Sequence, residues 1–222
     1  MSLTRSITLA GRRAARAMAD DLVPFAPEWR PDVVIGNLAE QAGGVDERCC
    51  MSVPYLAQAA EHEQLQWLGG GVMRIMLDGE KTDGQLTMLR SAAPGGSASP
   101  VHVHACEDEI VVLLQGSGIF WVGDQRWELS EGGVAFLPRN VPHAYRFTSP
   151  AIDMLAVCAP AGTEDFFRAA GWDLSRPRPD GWEITPASMA AAAAATGQTI
   201  LGPPLAADQM IPAAYLTGQQ AR

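Results

Sequence analysis

The amino-acid sequence predicts a mostly β fold, a sandwich or small barrel with helical segments at both ends. Three observations predict it. Between Val72 and Ala159, short runs of β-forming residues are separated by turn residues, at the roughly 8–12-residue spacing of sandwiches and barrels. The segments before and after this region carry helix caps and Ala-rich runs. The chain has no internal repeat, which favours a single barrel over a double one.

Nine strands are predicted in the β-rich region. Turn pairs such as Asp78-Gly79 and Gly123-Asp124, together with the glycine-rich segments at 94–96, 116–118 and 131–133, mark their ends. The predicted strands are Val72–Leu77, Gln85–Ala92, Val101–His104, Ile110–Gln115, Ile119–Val122, Gln125–Leu129, Val134–Leu137, His143–Phe147 and Ile152–Cys158.

Residues 1–66 are predicted to be an N-terminal helical and extended arm. A helix is expected from Leu9 to Leu22, and the prolines after it favour an extended segment. A second helix is expected from Val53 to Trp67, where three glycines end it. The paired arginines Arg12 and Arg13 are followed by no apolar stretch, so a targeting signal is not expected and the prediction is a cytoplasmic protein.

Residues 67–171 are predicted to be the barrel, and residues 172–222 a linker and helix packed on it. Thr163 can cap a short helix over Glu164–Ala170. The segment Arg176–Pro179 is a Pro-rich linker. The last helix is expected to begin after Thr185, with Pro186 in its first turn, and to end near Gly197.

The composition is that of a globular chain, with 47% hydrophobic and 18% charged residues among 222. A net charge of -9 without a Lys/Arg stripe argues against nucleic acid and membrane as partners. The four cysteines form no CxxC pair, which favours reduced thiols. We therefore expect a small-molecule partner.

Three of the four histidines fall in two short segments of the β-rich region. His102 and His104 are separated by one residue on a predicted strand, so their side chains point the same way. Glu109 follows shortly after, and His143 begins a later strand. Burying these groups without a ligand would leave polar atoms unpaired at roughly 1–3 kcal/mol each. The four residues are therefore predicted to bind one divalent transition metal ion, and Fe, Mn, Ni, Co, Cu and Zn all suit this donor set.

The two segments resemble the motifs of the cupin superfamily. The first, Gly-x5-His-x-His-x4-Glu-x6-Gly, is matched at every fixed position from Gly96 to Gly116. In the second, Asn140 replaces a glycine and Phe147 replaces an asparagine, while the ligand His143 is kept. Asn tolerates the left-handed conformation, so the turn at 140 can survive the exchange. The resemblance implies a single cupin barrel, that is a double-stranded β-helix or jelly roll.

Over about residues 65–205 the general pattern is similar to single-domain cupins related to bacterial quercetin 2,3-dioxygenase. That resemblance implies a metal-dependent dioxygenase that acts with O2 on a phenolic or enolisable aromatic small molecule. It also implies that Glu109, besides ligating the metal, accepts the substrate hydroxyl proton as the catalytic base. In the flavonol reaction O2 then opens the heterocycle with release of carbon monoxide. Cupins commonly dimerise, so a homodimer is expected.

Strand parity extends the prediction to a substrate pocket. Tyr145 and Phe147 share the face of His143, and Val111 and Leu113 share that of Glu109, so all four are predicted to line the cavity, with plain core packing as the alternative. Two other functions stay open. One is a cupin that binds a metal or small molecule without turnover, and the other is an isomerase, cyclase or lyase that uses the metal as a Lewis acid.

Overall fold

Twelve strands build the part of the chain that the structure, a computed structural model, describes, namely residues 53–217. The strands are β1 (Glu63–Gln66), β2 (Val72–Leu77), β3 (Thr87–Pro94), β4 (Val101–His104), β5 (Asp108–Gln115), β6 (Ser117–Val122), β7 (Gln125–Ser130), β8 (Val134–Leu137), β9 (His143–Phe147), β10 (Ala151–Ala159), β11 (Trp172–Asp173) and β12 (Gln198–Gly202). The helices are α1 (Gly79–Thr82), α2 (Thr163–Ala170), α3 (Pro186–Ala195) and α4 (Ala213–Leu216), with 3₁₀ turns at Ala59–Glu61 and Leu68–Gly70.

The strands form two antiparallel sheets. The larger has the order β11-β1-β2-β3-β10-β5-β8, and the smaller the order β12-β4-β9-β6-β7. Consecutive strands β4 and β5 therefore lie in different sheets, as they do in a jelly roll. The mostly β class and the jelly-roll architecture predicted from the sequence are confirmed.

All nine predicted strands are present, each within two residues of its predicted ends. The bounds of β2, β4, β8 and β9 agree fully. This accuracy has a physical reason, because positive-φ glycines at positions such as Gly116, Gly123 and Gly132 end the strands where the sequence places its turns.

The helix predicted over Val53–Trp67 is wrong. Within it lies strand β1, which pairs with β2 on one side and β11 on the other. Leu65 is 2% exposed and joins the core between the sheets. Sheet pairing and the burial of one leucine therefore outweigh the helical preference of the segment. The helix predicted over Leu9–Leu22 lies outside the described residues, as do most of residues 1–66.

The C-terminal helix is confirmed at its predicted bounds. Thr185 caps α3 through a hydrogen bond from the backbone N–H of Ser188, 3.0 Å long. Sequence reasoning did not predict β12, which follows α3 and pairs with β4. The pairing places Gln198 directly opposite His104. The segment after the barrel therefore completes one of the two sheets.

The main core lies between the two sheets, where residues of β2, β3, β5 and β10 meet Phe120 and Phe147 from the smaller sheet. The outer face of the smaller sheet is also covered, because Leu205 and Ile211 pack on Trp121. The Trp121 indole N–H donates to the backbone carbonyl of Gln209, 2.9 Å away. Helices α2 and α3 form a further apolar cluster at one end. Across residues 53–217, no helix has the length and apolarity to cross a membrane.

Candidate metal centre

Two strands of the smaller sheet and one of the larger bring His102, His104, Glu109 and His143 together. His102 pairs directly with His143 across β4 and β9, and His104 lies on the same face of β4. Glu109 comes from β5 in the larger sheet. One nitrogen or oxygen atom from each of the four residues lies within 4.8 Å of all the others. The spacing predicted from the sequence is therefore realised as a cluster of four donors.

The distances between donor atoms suit a shared ion better than direct hydrogen bonds. Oε2 of Glu109 is 3.9 Å from Nε2 of His104 and 3.7 Å from Nε2 of His143. Both distances exceed the range of a hydrogen bond. Two donors that each lie about 2.1 Å from one metal ion are roughly 3.0–4.2 Å apart, depending on the angle between them. The observed separations fall in that range.

Two of the imidazoles are fixed by backbone carbonyls. Nδ1 of His102 lies 3.0 Å from the carbonyl oxygen of Pro100, and Nδ1 of His143 lies 2.9 Å from that of Val141. A carbonyl oxygen only accepts, so Nδ1 carries the proton in both rings and Nε2 keeps its lone pair. Both rings are thus in the tautomer that a metal ligand requires.

Several polar atoms of the cluster are buried without a partner among the described residues. They include Nε2 of His143 and both ring nitrogens of His104. An unsatisfied buried polar group costs about 1–3 kcal/mol, and a metal ion bound by the lone pairs of the Nε2 atoms removes that cost there. Three neutral imidazoles and one carboxylate are a fitting donor set for a divalent transition metal. The residues present therefore fit the predicted metal.

Burial shifts the pKa of each of the four groups in the direction that favours its neutral form. It lowers the pKa of His102, lowers that of His104 to about 3, and lowers that of His143 well below its usual value of 6.5. Burial, and then the nearby charge of Glu107, raises the pKa of Glu109 from 4.5 to about 7. Neutral imidazoles are the form that binds metal, so the histidines need no deprotonation before binding at pH 7.

A cavity of about 750 Å³, its mouth included, opens beside the cluster. Its lining includes His102, His104 and Glu109. Much of the remaining wall is aromatic, from the side chains of Trp67, Tyr145, Phe147, Phe166 and Phe167. Three of the four candidate ligands therefore lie beside a concave space with several apolar walls.

The predicted pocket residues divide into two pairs. Tyr145 and Phe147 line the cavity, with their ring centroids 5.0 Å apart. Val111 and Leu113 do not line it, because they are fully buried in the core between the sheets. The alternation of side chains correctly predicted that both face the interior, but the interior beyond the cavity is packed core.

Asn140 has a φ of 62°, so the left-handed turn survives the exchange of glycine for asparagine.

Sequence reasoning missed one wall of the cavity. Phe166 and Phe167 of α2 pack against Trp67, with ring centroids 5.7 and 4.7 Å from it. Adjacent aromatics on a short predicted helix were a usable signal for that wall, although Gly162 rather than Thr163 occupies the N-cap position of that helix. Gln198 also lines the cavity and is 5% exposed, and its Nε2 has no partner among the described residues. No local pattern marks Gln198, because only the pairing of β12 with β4 brings it to the site.

Residues 88–160 match the family model described as the cupin domain. Two curated relatives are quercetin 2,3-dioxygenases. That of Bacillus subtilis (strain 168) is 29% identical over 165 residues, which are 73% of this chain and 47% of the relative. That of Aspergillus japonicus is 27% identical over 125 residues, or 53% of this chain and 36% of the relative. The chain thus spans less than half the length of either relative.

Among solved structures, a cupin described as RmlC-like from Shewanella frigidimarina NCIMB 400 is 16% identical, with a TM-score of 0.44. The match covers 50% of this chain and 96% of that structure.

Proposed function

We propose that this chain, whose residues 88–160 match the cupin domain, is a metal-dependent dioxygenase of the quercetinase-like group, oxidising a phenolic or enolisable aromatic small molecule with O2. One observation carries the proposal. The carboxylate of Glu109 and three neutral imidazoles form one cluster, and Glu109, His102 and His104 of that cluster lie on the wall of a cavity that also carries five aromatic side chains. The two quercetin 2,3-dioxygenase relatives support the reaction class.

The metal would be held by Nε2 of His102, His104 and His143 and by a carboxylate oxygen of Glu109. When bound, a divalent transition metal supplies Lewis acidity for an enolate or phenolate oxygen and a point at which substrate and O2 are held together. The carbonyls of Pro100 and Val141 hold two of the rings in the required tautomer. The backbone therefore prepares two of the four ligands before the metal arrives.

Glu109 is the proposed base. Its carboxylate lines the cavity, and within residues 53–217 it accepts no hydrogen bond, so an oxygen is free to take the proton of a substrate hydroxyl. Burial keeps this carboxyl in a poorly solvated setting, where its proton affinity is higher than in water. The substrate O–H bond breaks, the electron pair stays on the substrate oxygen, and the proton passes to Glu109.

The aromatic wall suits a planar substrate. Trp67, Phe166 and Phe167 offer ring faces and edges against which an aromatic ring can pack, at a gain of about 0.5–1.5 kcal/mol per pair beyond burial. The Tyr145 hydroxyl has no hydrogen-bond partner among the described residues, and burial followed by the charge of Glu109 raises its pKa well above 10. It therefore stays protonated and can donate to a substrate oxygen.

Oxygen uptake by the metal-loaded protein tests the proposal. Purified protein is analysed for bound metal and then supplied with a panel of flavonols and other enolisable phenols. We expect substrate-dependent O2 consumption, which Glu109→Gln abolishes while most metal binding is kept. The matched control is Glu131→Gln, at an exposed carboxylate away from the site, which should leave uptake unchanged.

The alternatives give different results in the same experiment. Metal-loaded protein that binds these phenols without consuming O2 would point to a binding cupin. Conversion of the substrate without O2 would point to an isomerase, cyclase or lyase. Unchanged turnover by Glu109→Gln would remove Glu109 from the mechanism.

We also propose a cytoplasmic homodimer. The outer face of β5 and β8 supports association of two copies, because Ile110 and Phe136 pair across these strands and are 41% and 57% exposed. Exposed apolar side chains in contact with each other are typical of interaction surfaces. Light scattering after size exclusion should give twice the mass of the chain, and a monomer mass would contradict the dimer.

A further inference from the structure

We infer that Glu107 is a positioning residue for His104, its carboxylate accepting the Nδ1–H of that ring when the metal is bound. The inference rests on the metal centre of the proposed function but not on the reaction. It starts from an asymmetry among the three imidazoles. In His102 and His143 the Nδ1–H is held by the carbonyl oxygen two residues earlier. Among the described residues, Nδ1 of His104 has no such carbonyl.

The acceptor that faces that nitrogen is a carboxylate. Oε2 of Glu107 lies 3.9 Å from Nδ1 of His104. Glu107 stands in the turn between β4 and β5, so the chain that carries the ligands also carries this carboxylate. Within residues 53–217 no backbone carbonyl accepts a hydrogen bond from the ring, which leaves Glu107 to set its orientation.

Burial makes this pair unusual. His104 is 3% exposed and Glu107 4% exposed. Nδ1 and Nε2 of His104 and Oε2 of Glu107 all lack a partner among the described residues. A buried donor and a buried acceptor that face each other unpaired are costly, and a contact shorter by about 1 Å would satisfy both.

Metal binding supplies the reason for that contact to close. An ion on Nε2 draws electron density from the ring, which makes the Nδ1–H a stronger donor, and its positive charge attracts the carboxylate. A carboxylate partner in turn makes the imidazole more electron-rich than a carbonyl partner does. His104 is therefore the ligand whose strength a side chain sets, whereas the backbone sets that of His102 and His143.

Metal affinity measured without substrate or O2 tests the inference. Zn²⁺ is the probe, titrated against a chelator into wild type, Glu107→Gln and Glu107→Ala, with Glu131→Gln as the control. We expect Glu107→Ala to weaken Zn²⁺ binding about 10–100-fold, the usual cost of losing an outer partner of a metal ligand. The Zn²⁺ affinity of Glu107→Gln should lie between those of wild type and Glu107→Ala, since its amide oxygen accepts a hydrogen bond without charge. Affinity equal to wild type in both variants would overturn the inference.

NMR gives a second test, and its first part, made on the wild type, does not depend on the folding of a variant. In the Zn²⁺-loaded protein, NMR should show three imidazole N–H protons protected from exchange with water, one for each ring. Glu107→Gln should shift or remove only the resonance of His104. Two protected protons in the wild type, or three that Glu107→Gln leaves unchanged, would contradict the inference.

The outcomes separate this inference from the proposed function. Wild type that binds Zn²⁺ and shows the Glu107 effect but consumes no O2 with any phenol would reject the oxygenase and keep the positioning role. Oxygenase activity with no effect of the Glu107 variants on Zn²⁺ affinity or on the His104 resonance would keep the oxygenase and reject the positioning role.

Discussion

Two regions near the cavity, the metal centre and the surroundings of α2, bury polar groups in opposite ways. At the metal centre, ring nitrogens of His104 and His143 are buried without partners among the described residues. Around α2, which carries the aromatic wall, the buried carboxylates of Asp78 and Glu164 are fully engaged. We call this second region, made of Asp78, Glu164, Arg168 and their partners, the α2 anchor.

The α2 anchor connects the helix to the sheet and to α1. Glu164 accepts hydrogen bonds from the backbone N–H of Gly79 at 2.7 Å and of Gly162 at 2.9 Å, and from the Thr87 hydroxyl. Asp78 accepts from Arg168 of the same helix at 2.7 Å. These contacts bridge residues far apart in the chain, and so they hold Phe166 and Phe167 in place over the cavity.

This difference in hydrogen bonding distinguishes a buried polar group that stabilises the fold from one that binds a ligand. A buried polar group that stabilises the fold has its partners in the chain itself. One that binds a ligand keeps an unused lone pair at some cost in stability. The metal centre should therefore tolerate mutation structurally and lose its ligand, whereas the α2 anchor should lose stability and keep the metal.

The largest expected effect is on metal affinity. His143→Ala removes one of four donors, and we expect it to weaken Zn²⁺ binding more than 100-fold, beyond the roughly 10–100-fold effect of an outer partner. In the metal-free protein, the free energy of unfolding should fall only by the amount that the lost packing of the imidazole ring accounts for. Chelator competition and urea unfolding measure the two quantities. His62→Ala, outside the cluster, is the control, and wild-type affinity in His143→Ala would contradict the ligand set.

The next expected effect, at the α2 anchor, is a loss of stability without a loss of metal binding. Glu164→Ala removes the acceptor of the Gly79 N–H and of the Thr87 hydroxyl, and it leaves the Gly162 N–H only its longer hydrogen bond to Thr87, 3.3 Å. We expect the free energy of unfolding to fall by about 2 kcal/mol, the cost of one or two unsatisfied buried donors. Zn²⁺ affinity should stay within about twofold of wild type. Glu131→Ala provides the exposed control, and a Glu164 variant as stable as wild type would undo the contrast between the two regions.

A third expected effect separates the two regions by pH. Burial lowers the pKa of the three histidines below 6.5 in the folded state. Below that pH the unfolded chain binds protons that the folded chain does not, so the metal-free protein should lose stability as the pH falls from about 6.5. Glu109 acts in the opposite sense, since its pKa rises from 4.5 to about 7, but three histidines outweigh one carboxyl.

At the α2 anchor the loss should begin only at lower pH. Burial alone would raise the pKa of Asp78, but the hydrogen bonds from Lys81 and Arg168 outweigh it and lower the pKa from 3.8 to about 2. The stability that this carboxylate contributes is complete above about pH 4 and is lost as the pH falls through its folded value. Urea unfolding across pH 7 to 3 should therefore show the histidine loss first, and Asp78→Asn should change only the lower part. A free energy of unfolding that stays flat from pH 7 to 5 would contradict the histidine assignment.

Local rules in the sequence predicted more of the strands than of the helical ends. The turns around β4 to β9 depend on glycines, which have no Cβ to clash at positive φ, and on Asn140, whose short polar side chain tolerates that conformation. Those strands appear where predicted. The segment before β2 follows no such local rule. Its residues form β1 because β2 and β11 offer it partners, and no window of sequence contains that information.

The sequence by itself determined the β class and placed His102 and His104 on one face of a strand, because alternation along a strand is a local geometric rule. The resemblance to the cupin motifs added Glu109 and His143 as candidate ligands. Only the tertiary structure decided how far the inner face remains a cavity, which separates Tyr145 and Phe147 from Val111 and Leu113. It also decided that α2 and β12 bring Phe166, Phe167 and Gln198 to the site. Contacts between residues distant in the chain are set by packing and sheet pairing, and these depend on the whole fold rather than on any one segment.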